Sequence, residues 1–291
     1  MKSFKTIFLF LIAIALYSSA MGQHKYAYKI YDKDGNISDF QKMLDSSLKS
    51  DIILFGELHN NPISHWLQIS LTKEIYAKKS DKLILGAEMF ETDNQLILNE
   101  YLQGKITERN FKAEAKMWNN YDTDYKPLVE FAKNNNIPFV GTNIPRRYAA
   151  LVHRQGFDAL LGLEYDAMKY LPPLPVPYDA ELPSYKTMLE MQGMPAHSNE
   201  NLPKAQAIKD ATMAHFILKN FSQGKVFLHF HGAYHSDNYE GIFWYLTQYG
   251  KKDNLITITT VEQDNLNELH ELNKGKADFI IVVDPDMTKT Y

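Results

Sequence analysis

The chain has 291 residues, 45% of them apolar and 23% charged, with 14 glycines and 12 prolines. That is the make-up of a globular protein, not of a disordered, collagenous or coiled-coil one. A formal net charge of -4 argues against a broad phosphate-binding field, hence against nucleic acid as a partner, and the lack of cysteine excludes disulfides, thiolate zinc sites, iron–sulfur clusters and Cys nucleophiles.

Lys2 and Lys5 precede an unbroken apolar run from Ile7 to Tyr17, and small residues follow at 18–22. The pattern predicts a signal peptide over 1–22 and export to the periplasm, cell envelope or medium. The run is too short to cross a bilayer comfortably. Residues 23–291 are then expected to form a single α/β domain, and no later run is long and apolar enough for a transmembrane segment in the mature chain.

Next come short runs rich in Ile, Val, Leu and Phe: Ile52–Phe55, Lys82–Ala87, Pro138–Thr142, Val226–Phe230, Leu255–Val261 and Phe279–Val283. Each is short enough for a buried strand, and Tyr26–Tyr31 alternates as an edge strand does. Helical patterns separate them. Pro62–Lys78 has Asn61 as its N-cap and Pro62 in its first turn. Thr92–Trp118 reads as two helices broken at Gly104, and Tyr125–Lys133, Pro203–Phe221 and Asn238–Tyr249 follow. The alternation predicts a mostly parallel sheet covered by helices on both faces. Residues 172–203 break the rhythm with prolines at 172, 173, 175, 177, 183, 195 and 203, accompanied by Tyr178, Tyr185, Met188, Met191 and Met194. They read as part of an insertion or lid, at about 146–222, beside the sheet.

The carboxyl ends of parallel strands are where an open α/β sheet binds ligands. Four predicted strands end in reactive side chains: Glu57 and His59, Glu88 and Glu91, Arg146 and Arg147, and His231 and His235. Glu57 and Glu88 follow apolar runs, so burial would require a cation, an imidazole or a metal beside them. Period 2 puts His229 and His231 on one face of a strand. With His235 they make a histidine cluster that suggests metal or cofactor contact by at least one. Glu57, His59, Glu88 and His235 are expected within about 10 Å of one another, since neighbouring strands lie about 4.8 Å apart, with an Arg146 or Arg147 guanidinium on the rim.

The paired motifs Gly56-Glu-Leu-His59 and Gly232-Ala-Tyr-His235 occur together with Gly86-Ala-Glu-Met-Phe-Glu91, Asn143-Ile-Pro-Arg-Arg-Tyr148 and Gln206-Ala-Ile-Lys-Asp-Ala-Thr-Met213. In this order they resemble the ChaN family of haem-binding uptake proteins, within the Tiki superfamily, over residues 25–285. The resemblance implies an erythromycin-esterase-like α/β fold, an exported protein of iron acquisition linked to an outer-membrane uptake system, and a homodimer that holds haem at its interface. Many family members are lipoproteins, but this chain lacks the anchoring Cys. On this reading Arg146 and Arg147 are candidates for the propionates, and Tyr148, Tyr165, Tyr170, Tyr178 and Tyr185 for contact with the haem or its iron. The rival reading is a metal-dependent hydrolase of the Tiki protease type. There Glu57, His59, Glu88 and His235 would hold one divalent ion (Mn, Co or Zn), with Glu57 or Glu88 as the catalytic base.

Overall fold

A computed structural model describes residues 25–190 and 200–291. The expected signal peptide and the Met191–Met194 part of the insertion lie outside the described residues. The strands are β1 Tyr28–Asp32, β2 Ile37–Ser38, β3 Ile52–Glu57, β4 Leu83–Glu91, β5 Phe139–Asn143, β6 Val226–Gly232, β7 Leu255–Glu262 and β8 Phe279–Val283. They form one sheet in the order β2-β1-β8-β7-β3-β6-β4-β5. Every pairing from β8 to β5 is parallel, whereas β1 runs antiparallel to both β2 and β8. The Tyr26–Tyr31 segment is therefore one place in from the edge, because the short β2 turns back to cover it.

The helices are α1 Phe40–Ser47, α2 Pro62–Lys79, α3 Gln95–Leu102, α4 Glu108–Glu114, α5 Lys126–Asn134, α6 Arg146–Gln155, α7 Pro183–Glu190, α8 Asn201–Asn220 and α9 Gly241–Gln248. Alternation along the strands divides them between two cores. Ile53 and Phe55 of β3, with Leu228 and Phe230 of β6, face Leu67 and Leu71 of α2, Tyr101 of α3 and Phe111 of α4. Ile52, Leu54 and Phe227 face the opposite way, towards Val152 of α6, Ile208 and Ala211 of α8 and Tyr245 of α9. Strands buried on both faces need the continuous apolar runs seen in the sequence. Of residues 146–222, expected as an insertion beside the sheet, the described ones supply much of the layer on that second face, with the buried Leu160, Leu171, Val176 and Tyr185 adding to its core.

Two local features aim side chains at the functional end. Asn61 caps α2, its Oδ1 accepting from the Ile63 and Ser64 N–H groups at 3.0 and 3.1 Å, which fixes the turn just after β3. In β4 the pairing with β5 shifts register between Ala87 and Glu91. A bulge of this kind bends a strand and re-aims its side chains, and Glu88 is the first residue past the last regular pair.

Candidate functional site

β3, β6 and β4 are neighbours, although β3 and β4 are successive along the chain, so the chain passes over β6's place and returns to fill it later. At the carboxyl ends of these strands lies a cleft of about 630 Å³ whose lining includes Glu57, His59, Glu88, His235 and Arg146. The side chains that the sequence expected to converge do share one crevice. Arg146 is the guanidinium at its rim: its side chain is 76% exposed, with Glu91 Oε1 3.9 Å away.

Glu57 is fully buried. Its Oε1 accepts from Tyr125 Oη at 2.6 Å and meets His59 Nδ1 at 2.9 Å; its Oε2 accepts from Gln68 Nε2 at 2.5 Å. Burial and the Glu57 charge push the Tyr125 phenol far above its usual value, so it stays a proton donor to the carboxylate. Tyr125→Phe is therefore expected to lower stability by about 1.5–3 kcal/mol, the range for a hydrogen bond to a charged group, measured by urea unfolding. Burial lowers the His59 pKa, but the hydrogen bond to Glu57 and the charges of Glu88 and Glu57 outweigh it and leave the imidazole above its usual value. The His59 carbonyl is fastened as well, by His65 Nε2 at 3.0 Å and Asn120 Nδ2 at 2.9 Å. The Trp118 ring meets the His59 ring edge-on at 4.9 Å.

The second cluster centres on His235. Its Nε2 lies 3.2 Å from Glu88 Oε1 and its Nδ1 2.5 Å from Asp210 Oδ1. All three side chains are buried. Burial opposes the His235 charge, but the two carboxylates win and raise its pKa to about 10. Glu88 is likewise opposed by burial. It is held well below the usual carboxylate range by His235, by the charge of His59 and by the Gly232 N–H donating to its Oε2 at 2.8 Å. Burial raises Asp210, with His235 acting against it. The result is a cation between two acids.

His229 and His231 do not join the cleft. Both are completely buried, and burial lowers both, His229 to about 3. Thr142 Oγ1 donates to the Ala87 carbonyl at 3.0 Å and so accepts from His229 Nε2 at 2.7 Å. His229 Nδ1 is then left to accept from His231 Nδ1 at 3.0 Å, and His231 Nε2 to accept from Ser236 Oγ at 2.8 Å. This neutral chain fastens β6 to the turn that follows it, next to His235.

The two Gly-x-x-His motifs explain each other's glycines. A Cβ on Gly232 would stand 2.7 Å from His59 Nε2, and a Cβ on Gly56 would stand 2.8 Å from the Ala233 Cα. Each glycine makes room for the other motif.

The expected divalent-metal set is not assembled. Glu57, Glu88 and His235 spend their donor atoms on protein partners, and His59 spends its Nδ1 on Glu57. Among the described residues no group of three or more His, Asp or Glu is arranged to hold a metal ion.

The other expected residues lie outside the clusters. Arg147 pairs with Asp93 and lies over the Tyr148 ring at 4.3 Å. Tyr178 stacks on Tyr185 with centroids 5.6 Å apart, and Tyr185 is buried. Tyr165, by contrast, is 90% exposed, and Leu161, four residues earlier in the chain, is 68% exposed. The segment carrying Tyr165 is tied to the end of β4, because the Tyr170 carbonyl accepts from Thr92 Oγ1 at 3.0 Å.

Comparisons with known proteins come from two directions. The family described as haem-binding uptake, Tiki superfamily, ChaN matches residues 43–246. ChaN of Campylobacter jejuni, whose structure is described as showing cofacial haem binding, superposes with a TM-score of 0.66 at 17% identity, covering 88% of this chain and 97% of that one. A succinoglycan biosynthesis protein gives 0.52 at 11% identity over 89% of this chain and 94% of its own. A Bacillus cereus protein gives 0.51 at 11% over 89% and 95%. At such identities the likeness is one of fold. No curated protein matches the sequence directly.

Proposed function

Because the chain belongs to the ChaN family of haem-binding uptake proteins, within the Tiki superfamily, we propose that it binds haem for iron acquisition outside the cytoplasm. The observation that carries the site is the exposure of Tyr165. Haem needs an axial donor that reaches out of the protein, apolar surface beside it, and a cation for its propionates. Tyrosine is a known axial ligand of haem iron. Tyr165 has the reach, the exposed Leu161 four residues earlier offers apolar surface, and Arg146 is a guanidinium whose ion pair among the described residues is a long one to Glu91. The deep cleft is the poorer seat, since its floor is made of carboxylates and imidazoles already bonded to one another.

Tyr148, held under Arg147, shares the first turn of α6 with Arg146, while Tyr178 and Tyr185, within the Pro-rich segment, stack on each other and pack into the second core. A haem bound to so exposed a tyrosine has one porphyrin face left open. A second copy of this chain, bringing a second haem face to face with the first, is the cover that we propose.

Haem titration of the purified protein should give a Soret band with a defined stoichiometry. Tyr165→Phe should weaken haem by at least the roughly 10- to 100-fold that losing a supporting partner costs at a metal site, and should change the spectrum. Arg146→Ala should weaken binding and leave the band position unchanged. No Soret band in the wild type would end the haem reading. An unaltered spectrum in Tyr165→Phe, with loss in Tyr148→Phe or Tyr178→Phe, would move the ligand.

A further inference from the structure

β5 is an edge strand, and an edge exposes backbone groups that invite another chain. Its free side is not left bare. Gln95, at the start of α3, donates from Nε2 to the Phe139 carbonyl at 2.9 Å and accepts at Oε1 from the Gly141 N–H at 2.7 Å. In a parallel pair, the carbonyl of residue i-1 and the N–H of residue i+1 bond to one and the same residue of the neighbouring strand. The Gln95 carboxamide thus takes the place of one residue of a ninth strand. Asn99 Oδ1 steadies it at 2.8 Å.

Alongside runs a groove of about 380 Å³. Its walls carry five carboxamides, on Gln95, Asn99, Gln103, Asn136 and Asn220, and, among the described residues, no Asp, Glu, Lys or Arg. In a chain that is 23% charged, a surface groove of this size without a single charge is selective. It offers both donors and acceptors to a neutral polar guest and no countercharge to an ion.

We propose that this groove binds an extended, uncharged peptide segment, which adds to β5 by displacing the Gln95 carboxamide. Backbone bonds to Phe139 and Gly141 supply the affinity, as in other cases of strand addition, and the carboxamide walls select against charged side chains. A peptide is favoured over a neutral sugar because the seat is already filled by an amide that makes a peptide's pair of bonds.

The test uses amide NMR spectra of the whole protein with three probes: a blocked hexapeptide of alternating threonine and valine, a blocked hexapeptide of alternating lysine and glutamate, and maltohexaose. The Thr/Val peptide alone should bind, with shifts centred on Phe139–Gly141 and Gln95. Gln95→Ala removes the competitor for two hydrogen bonds and should tighten binding about fivefold, the worth of one net hydrogen bond. Gln103→Glu puts a charge on the wall and should weaken it by a similar factor, which keeps the test alive if Gln95→Ala does not fold. Binding of maltohexaose instead would make the groove a sugar site and overturn the proposal. So would equal binding of the Lys/Glu peptide, or no shift at Phe139–Gly141 with any probe.

Discussion

His235→Ala is expected to destabilise the protein by about 3–5 kcal/mol, the usual cost of leaving a buried charge without its partner, and to alter the shape of its pH dependence. In the wild type His235 is raised from 6.5 to about 10. Between those values the native state holds a proton that the unfolded chain has lost. The stability due to His235 is therefore complete below pH 6.5 and disappears as the pH rises to about 10. Glu88, held low, acts in the other direction: its contribution is present above the ordinary carboxylate pKa and is lost only in strong acid. Without His235, Glu88 and Asp210 stay buried side by side with no cation between them. Both then favour the protonated form. The native state gains protons through the carboxylate range, and the variant becomes more stable as the medium is made acid. Urea unfolding at a series of pH values separates the two behaviours, and adding Asp210→Asn to His235→Ala should recover part of the loss. A His235→Ala protein with the wild-type profile would show that the ionic sandwich does not exist in solution.

Gly56→Ala and Gly232→Ala should each cost about 1–3 kcal/mol, as overpacking does, and should fail to add. The Cβ at 56 meets backbone at Ala233, which cannot swing away, whereas the Cβ at 232 meets the end of the His59 side chain. Gly56→Ala is therefore the more damaging. Gly232→Ala should instead turn the His59 ring off Glu57 and change the fluorescence of Trp118, which packs against that ring. Both substitutions push the same two turns apart, so the double variant should lose less than the sum of the singles. Strict additivity would mean that the motifs are not in contact.

Much of this arrangement was legible in the chain. Apolar runs located the strands because a strand covered on both faces cannot alternate. The order of the polar residues after those runs then brought Glu57, His59, Glu88 and His235 to one edge. The partners were harder to see. Asp210 lies mid-helix in α8, with nothing in its spacing to separate a buried carboxylate from a solvated one. Tyr125, read as the start of a helix over Tyr125–Lys133, closes a single wide turn, Tyr121–Tyr125, just ahead of α5, and nothing in the pattern aims its hydroxyl at Glu57. The divalent-metal expectation found no support, for a related reason. Residue types name the donor atoms, but only the positions of Tyr125, Gln68, Asp210 and the Gly232 N–H show that those of Glu57, His235 and Glu88 are engaged. α6 was not among the expected helices, and the two arginines in its first turn oppose the helix dipole. Arg147 answers that conflict by pairing with Asp93, and Val152 fastens the helix to the sheet.

The strand order also dictates when the chain can fold as it is made. Ile53 of β3 is flanked by Leu228 and Ile256, and Lys29 of β1 by Val282. The central strand leaves the ribosome early and waits for both neighbours, for on the order of ten seconds or more at about 5–20 residues per second. The first strand waits until the last is synthesised. Topology of this kind, dominated by distant pairings, folds slowly. Until β6 and β7 emerge, only the β1–β2 and β4–β5 pairs can form, so for most of its synthesis the polypeptide cannot close its sheet.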